Sequence, residues 1–322
     1  MSQRITINDV ASAAGVSRQT VSRALNDKGE IDGDTKQRVL DAAKELGYRP
    51  SRFARGLVRP DTTSIGLVIP DLLNPFFTEV AAAALEAARA KGWHVVVYDT
   101  ADSVDEELST LQVIGSQVDA VVGYFNLSET QLDQHTHGIP VVLIGREHHA
   151  TRFSSIRIEG AQGVRSAVDH LVAAGHRRIG MLDHAHAEPS DKHQWFCDAM
   201  NAHGLSPDKV AGAVQSVDGG ADALTRLLKA QPDVTAIFTF NDIIAIGALR
   251  AARRSGRDLA VIGFDGLQLG TVVDPALTTV ALDTRKIGAL AVEQAARLMA
   301  GDEPLSGEDL VVQAVLLLRE SA

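Results

Sequence analysis

The 322-residue chain is 45% hydrophobic and 22% charged, carries a net charge of −10 and has one cysteine, Cys197. That length spans two or three ordinary domains and buries a core without staples, and a single thiol makes no intrachain disulfide. No stretch approaches the roughly 18 to 20 apolar residues of a membrane span, and Met1 to Thr6 lacks the apolar run of an export signal, so a cytoplasmic protein with no membrane partner is expected.

The charge is unevenly placed. Residues 1–60 hold 11 Lys+Arg against 7 Asp+Glu, whereas the remainder holds 20 against 34. An acidic body repels nucleic acid, so any DNA contact is expected in the basic N-terminal segment.

Residues 1–49 read as three short helices. Thr6 with Asp9 three positions on is a capping-box variant ahead of Ile7, Val10, Ala11 and Ala14. Gly15 breaks the helix, and Ser17 caps a second one over Arg18 to Leu25. Asp32 is the expected N-cap of a third, whose apolar stripe is Val39, Ala42, Ala43 and Leu46, and Gly47 is its stop. At 100° per residue, Gln19, Ser22, Arg23 and Asn26 share one arc of the second helix, opposite Val21, Ala24 and Leu25, with Arg18 at its tip. Arg pairs bidentately with guanine and Gln or Asn with adenine, so this arc is equipped to read base edges in a major groove. Thr6, Ser17, Thr20, Thr35 and the following arginines, Arg52 among them, are the candidate phosphate contacts.

Residues 50–61, with Pro50, Gly56, Pro60 and several arginines, form a basic linker. Its segment 50–57 has room for about two helical turns, marginal alone in water. The expectation is a hinge that folds on DNA and wedges Leu57 into a minor-groove step.

From Ser64 onward, short β-branched runs alternate with Ala-rich amphipathic stretches. Predicted strands are Ser64–Ile69, His94–Asp99, Ala120–Gly123, Val141–Ile144, Arg178–Leu182, Ala236–Phe240 and Leu259–Gly263, and Val311 to Leu318 reads as buried strand. Helical patterns lie near 75–91, 104–115, 160–174, 192–203, 219–230, 241–255 and 284–300. This alternation predicts an α/β core with parallel sheets covered on both faces, and the number of units predicts two Rossmann-like lobes.

Together these motifs resemble the LacI/GalR family of bacterial regulators over nearly the whole chain. The resemblance rests on Thr6 to Ala11, Val21 to Asn26, Leu46-Gly47-Tyr48-Arg49-Pro50 and Leu57 in the head. In the body it rests on Ile65 to Pro70, Asn74-Pro75-Phe76-Phe77, Gly175 to Ile179, Phe240-Asn241-Asp242, Gly263-Phe264-Asp265 and Leu277 to Val280. It implies an N-terminal helix-turn-helix head and two lobes of periplasmic-binding-protein type. It also implies a homodimeric repressor on a palindromic double-stranded operator, controlled by a small effector. The core, 62–322, divides into an N-lobe of about 62–158 plus 284–310 and a C-lobe of about 159–283 plus 311–322. A solute-binding protein of the same two-lobed fold is the alternative, and the head argues against it.

Ligands of such folds sit at the carboxyl ends of strands. Asp71, Phe76 and Phe77 follow the first strand, Arg146 the fourth, and Asn241 and Asp265 two later ones, with Asp242 expected to cap a helix. Aromatic faces beside carboxylates and amides suit a polyhydroxylated ring, hence a sugar or sugar derivative. Where sugar-responsive relatives carry Arg three residues before a Gly-aromatic pair, this chain has Lys192 and Trp195; Gly145 and Ile158-Glu159-Gly160 also depart from the pattern. Lys lacks the bidentate fork of Arg and Trp is far bulkier than Gly, which points to a modified, acidic or larger ligand. His184, His186, His193, Asp183 and Asp191 match no closed zinc spacing. No phosphate loop or nucleophile elbow occurs, so neither enzyme nor cofactor is expected.

Overall fold

The computed structural model describes residues 7–25, 31–46, 63–136, 138–145, 153–185, 189–303 and 310–322. In the head, α1 (Ile7–Ala14), α2 (Arg18–Leu25) and α3 (Gly33–Glu45) close on a small core of Val10, Ala14, Val21, Ala24 and Val39. Each helix is short and marginal alone, so this shared burial holds them. The turn from α1 to α2 uses Gly15 at φ +65°, and the Val16 amide donates to the Ala11 carbonyl at 3.0 Å. Ser17 Oγ accepts from the Thr20 amide at 3.1 Å, and the Asp32 carboxylate accepts from the Thr35 amide at 3.2 Å, so both expected caps form. The expected cap Thr6 and stop Gly47 lie outside the described residues.

The chain divides into two compact units, the first comprising 1–72, 81–155 and 288–306 and the second 73–80, 156–287 and 307–322. The elements follow as β1 (Ser64–Ile69), α4 (Pro75–Ala90), β2 (His94–Asp99), α5 (Val104–Ile114), β3 (Ala120–Gly123), α6 (Glu129–Thr136) and β4 (Val141–Ile144). The four strands run parallel in the order β2-β1-β3-β4, with Val68 opposite both Tyr98 and Gly123. β1 is buried along its whole length, as its uninterrupted apolar run requires.

β5 (Ser154–Glu159) leads into the second unit, followed by α7 (Ala161–Ala173), β6 (Ile179–His184), α8 (Asp191–Ala202), β7 (Val210–Ala213), α9 (Val217–Ala230), β8 (Ala236–Thr239), α10 (Asp242–Arg254), β9 (Ala260–Asp265) and β10 (Thr278–Ala281). α11 (Thr284–Ala300), β11 (Val311–Gln313) and β12 (Val315–Leu317) complete the chain. The second sheet has the order β7-β6-β8-β9-β10-β12; its strands are parallel except β12, which runs antiparallel to β10. β11 pairs in parallel with β5, placing Val311 opposite Arg157.

Four departures from the sequence-based expectation have physical causes. The stretch Val311–Leu318 is not one buried strand: it divides at Ala314 into β11 and β12, and β12 is an edge strand with Val315 58% exposed. β5, with Ser, Arg and Glu among its residues, and β7, Val-Ala-Gly-Ala, lack the dense apolar run that marks a buried strand. α6 buries only Leu132 and Thr136, so its pattern is too sparse to show a helical period. β6 and β9 extend to His184 and Asp265, which makes Asp265 the last strand residue instead of a loop residue.

Candidate functional site

The outer face of α2 is set by what its inner face buries. Val21 and Ala24 enter the head core, which leaves Arg18, Gln19 and Arg23 exposed and Ser22 half-buried on the opposite arc. Ser17 Oγ and Thr20 Oγ1 lie 2.9 Å apart at the helix start, Thr20 is half-buried, and Thr35 stands over the Asp32 cap. Arg38 Nε donates to the Ala14 carbonyl at 3.2 Å and ties α3 to the end of α1. The result is a rigid small body presenting two guanidiniums and a primary amide on one helix face.

A second constellation forms at the carboxyl end of the second sheet. There β7 and β8 lie on opposite sides of β6, the kind of switch point at which open α/β sheets bind ligands. Lys192, in the first turn of α8, spans it. Its Nζ donates to the Phe240 carbonyl at 2.8 Å, lies 3.6 Å from Asp265 Oδ1, and stands 4.2 Å and 3.8 Å from the ring centroids of Phe240 and Phe264. Both rings present their π faces to the cation. Burial pulls the Lys192 ammonium below the ordinary lysine range, against the attraction of Asp265 and Asp242. Burial also pushes Asp265 up to about 7, against Lys192 and with help from Asp242.

The supports of this constellation are themselves buried. The Asp183 carboxylate accepts from Ser190 Oγ at 2.6 Å and from the Ser190 amide at 3.2 Å, and Ser190 Oγ in turn caps α8 at the His193 amide. That chain of bonds fixes where α8 starts, and hence where Lys192 points. Asn241 caps α10 through Oδ1 to the Ile244 amide at 2.9 Å, and its amide nitrogen donates to Gln215 Oε1 at 3.1 Å. The cap expected of Asp242 is thus made by Asn241. Asp242 instead ties β9 to β10, accepting from the Leu267 amide at 2.7 Å and from Thr279 Oγ1 at 2.6 Å. Burial lifts it to about 6, against those hydrogen bonds.

A helical head that presents an exposed arc of Arg and Gln, followed by sheets with a polar cluster at one strand end, agrees with the comparisons with known proteins. Residues 6–51 match the model of bacterial regulatory proteins of the lacI family, and 168–322 match a periplasmic-binding-protein-like domain. The catabolite control protein A of Priestia megaterium is 32% identical over 308 residues, 92% of each chain. The chain belongs to the LacI family. Among solved structures, a complex of the regulator CelR with cellobiose aligns with a TM-score of 0.72 at 29% identity, over 99% of this chain and 100% of that one. The lac repressor dimer bound to operator and an anti-inducer aligns with a TM-score of 0.72 at 25% identity, over 99% of both chains. As a LacI-family member the protein is a DNA-binding regulator of transcription, and the solute-binding alternative gives way.

Against that family frame, Thr6, Asn26, Arg52, Leu57 and Arg146 lie outside the described residues. Asp71 is half-buried two residues beyond β1, in the first unit. Phe76 is 5% exposed and packs edge-on against half-buried Phe77 at 5.3 Å, so most of its surface is spent on packing. Lys192, Trp195, Asn241 and Asp265 all fall in the second unit, with Lys192 and Asp265 in contact. The sequence does not single out Phe240, Phe264 or Gln215 as site residues, and it offers Asp183 only among metal-capable side chains. Phe240 and Phe264 each adjoin a residue already singled out, Asn241 and Asp265, and that adjacency was the available signal. Gln215 carries no motif; it reaches Asn241 only because β7 and β8 flank β6. Among the described residues no group of three metal-capable side chains assembles, and no helix is long and apolar enough to cross a membrane.

Proposed function

We propose that the protein is a cytoplasmic repressor without enzymatic activity, which binds a palindromic operator as a homodimer and is controlled allosterically by a sugar-like effector. In this reading residues 1–49 form the DNA-binding head, 50–61 the hinge and 62–322 the effector-binding and dimerisation core. Arg18, Gln19, Ser22, Arg23 and Asn26 read or approach base edges; Thr6, Ser17, Thr20, Thr35 and Arg52 hold phosphates; Leu57 enters the minor groove. The observation that carries the proposal is the exposed Arg18–Gln19–Arg23 arc on a helix whose other face is spent on the head core. Relatives support the rest: the lac repressor was solved as a dimer on its operator, and CelR with cellobiose.

For the effector, Asp71, Phe76, Phe77, Arg146, Lys192, Trp195, Asn241 and Asp265 are the proposed contacts. The effector changes DNA affinity only by as much as its affinities for the two states differ.

Selection from a random duplex pool with the full-length protein, with and without sugars, tests the reading. A twofold-symmetric consensus whose retention changes with a sugar is the expected outcome. Gln19→Ala relaxes preference at a discrete position of each half-site, by about 1–3 kcal/mol. Uniform, salt-sensitive weakening over all duplexes would make Gln19 a backbone contact, and no duplex preference at all would overturn the proposal.

A further inference from the structure

Gly160 and Trp195 fit each other in a way neither residue explains alone. Gly160 is the N-cap of α7, at φ −106° and ψ −15°, a conformation open to any L-residue. Its backbone therefore asks for no glycine, and the position favours Ser, Thr, Asp or Asn. The missing side-chain cap is replaced in part by Glu159 Oε1, which accepts from the Ala161 amide at 3.2 Å. What excludes a side chain is Trp195: a Cβ at position 160 would lie 2.8 Å from its Cε3 and Cη2 ring atoms. The indole is thus seated on bare backbone, half-buried, and stands one helical turn from Lys192 on the same side of α8.

Lys192, in turn, offers no spare charge. Its ammonium is committed to the Phe240 carbonyl, the Asp265 carboxylate and two ring faces. The groups whose charge acts on it are all carboxyls: Asp265, Asp242 and Asp183. An anionic ligand would meet these carboxyls and an ammonium whose contacts are already taken. A flat ring beside carboxylates suits the opposite chemistry: an uncharged ring with C–H bonds on one face and hydroxyls around its edge.

We propose that Trp195, seated on Gly160, is a specificity-determining wall of the effector site, and that the site takes an uncharged saccharide in preference to a phosphorylated or acidic one. This rests on the effector-controlled reading above and reverses the acidic ligand that the Lys192 substitution suggests in the bare sequence.

The test uses full-length protein carrying Trp93→Phe, which leaves Trp195 as the only indole. Cellobiose, lactose, ribose and glucose are compared with glucose 6-phosphate and glucuronate by thermal shift, by Trp195 emission and by retention of the selected duplex. An uncharged sugar is expected to raise the melting temperature and change the emission. Trp195→Ala then weakens that sugar roughly tenfold, Trp195→Tyr keeps it within a few-fold, and Gly160→Asn, which displaces the indole, weakens it like Trp195→Ala. Tighter binding of glucose 6-phosphate or glucuronate than of glucose would overturn the proposal. So would undiminished sugar binding by Trp195→Ala, or no binding by any uncharged member of the panel. The two readings separate cleanly: an uncharged sugar that binds through Trp195 without altering duplex retention sinks effector control and leaves the wall standing, whereas an anion that alters retention does the reverse.

Discussion

The Lys192 ammonium and the Asp265 carboxylate meet at 3.6 Å, and Asp265 holds a backbone φ of 120° to do so. That region suits glycine, and a residue with a Cβ sits there at a cost of about 1–3 kcal/mol. The strained backbone is held by β9–β10 pairing, including the Leu282 amide donating to the Asp265 carbonyl at 3.1 Å.

Two substitutions separate strain from charge. Asp265→Ala loses the carboxylate and keeps the strained Cβ, while Asp265→Gly loses the carboxylate and relieves the strain. Both leave Lys192 without its counter-ion, so the Gly variant should be the more stable by about 1 kcal/mol or more in urea unfolding. Equal stabilities would mean that the backbone at Asp265 stores no strain.

Stability should also depend on pH through the same carboxyl. Its folded pKa of about 7 lies above the roughly 3.9 of an unfolded aspartate. The folded state therefore binds the proton more tightly, and the associated stability is present at low pH and lost as pH rises between roughly 4 and 7. Asp265→Asn lacks that titration. Its stability relative to the parent should climb across this window and level off above it, as measured by urea unfolding at several pH values. A difference that stays flat or falls with pH would show that Asp265 remains ionised in the fold.

Asn241 links two elements through one amide group. Removing it as Asn241→Ala forfeits the cap on α10 and the bond to Gln215, for a loss of about 1–2 kcal/mol. Asn241→Ser keeps a capping oxygen but not the reach to Gln215, so it should recover most of the stability. If its effector response stays as weak as that of Asn241→Ala, the Gln215 contact orders the site. Full response from the Ser variant would make Asn241 a cap and nothing more.

Local rules carry the head almost entirely. Gly15 at φ +65° and the Ser17 and Asp32 caps act within a few residues, so spacing and residue type were enough to place them. The same holds for the strands whose buried apolar run is unbroken, such as β1, and fails for β5 and β7, whose residues become strand only because neighbours supply the ladder.

Within the candidate site, the sequence alone determined which residues stand at strand ends, because the alternation of elements dictates that. Tertiary structure decided what those residues do. Lys192 reads as a free cation until Phe240, Phe264 and Asp265 close around it. Asp242 reads as a cap until Thr279 and Leu267 claim it, and Gly160 reads only as a departure from the family pattern until Trp195 lies upon it. Capping and periodicity are interactions between near neighbours in the chain, whereas the charge state and freedom of a buried group depend on residues the fold brings from far along it.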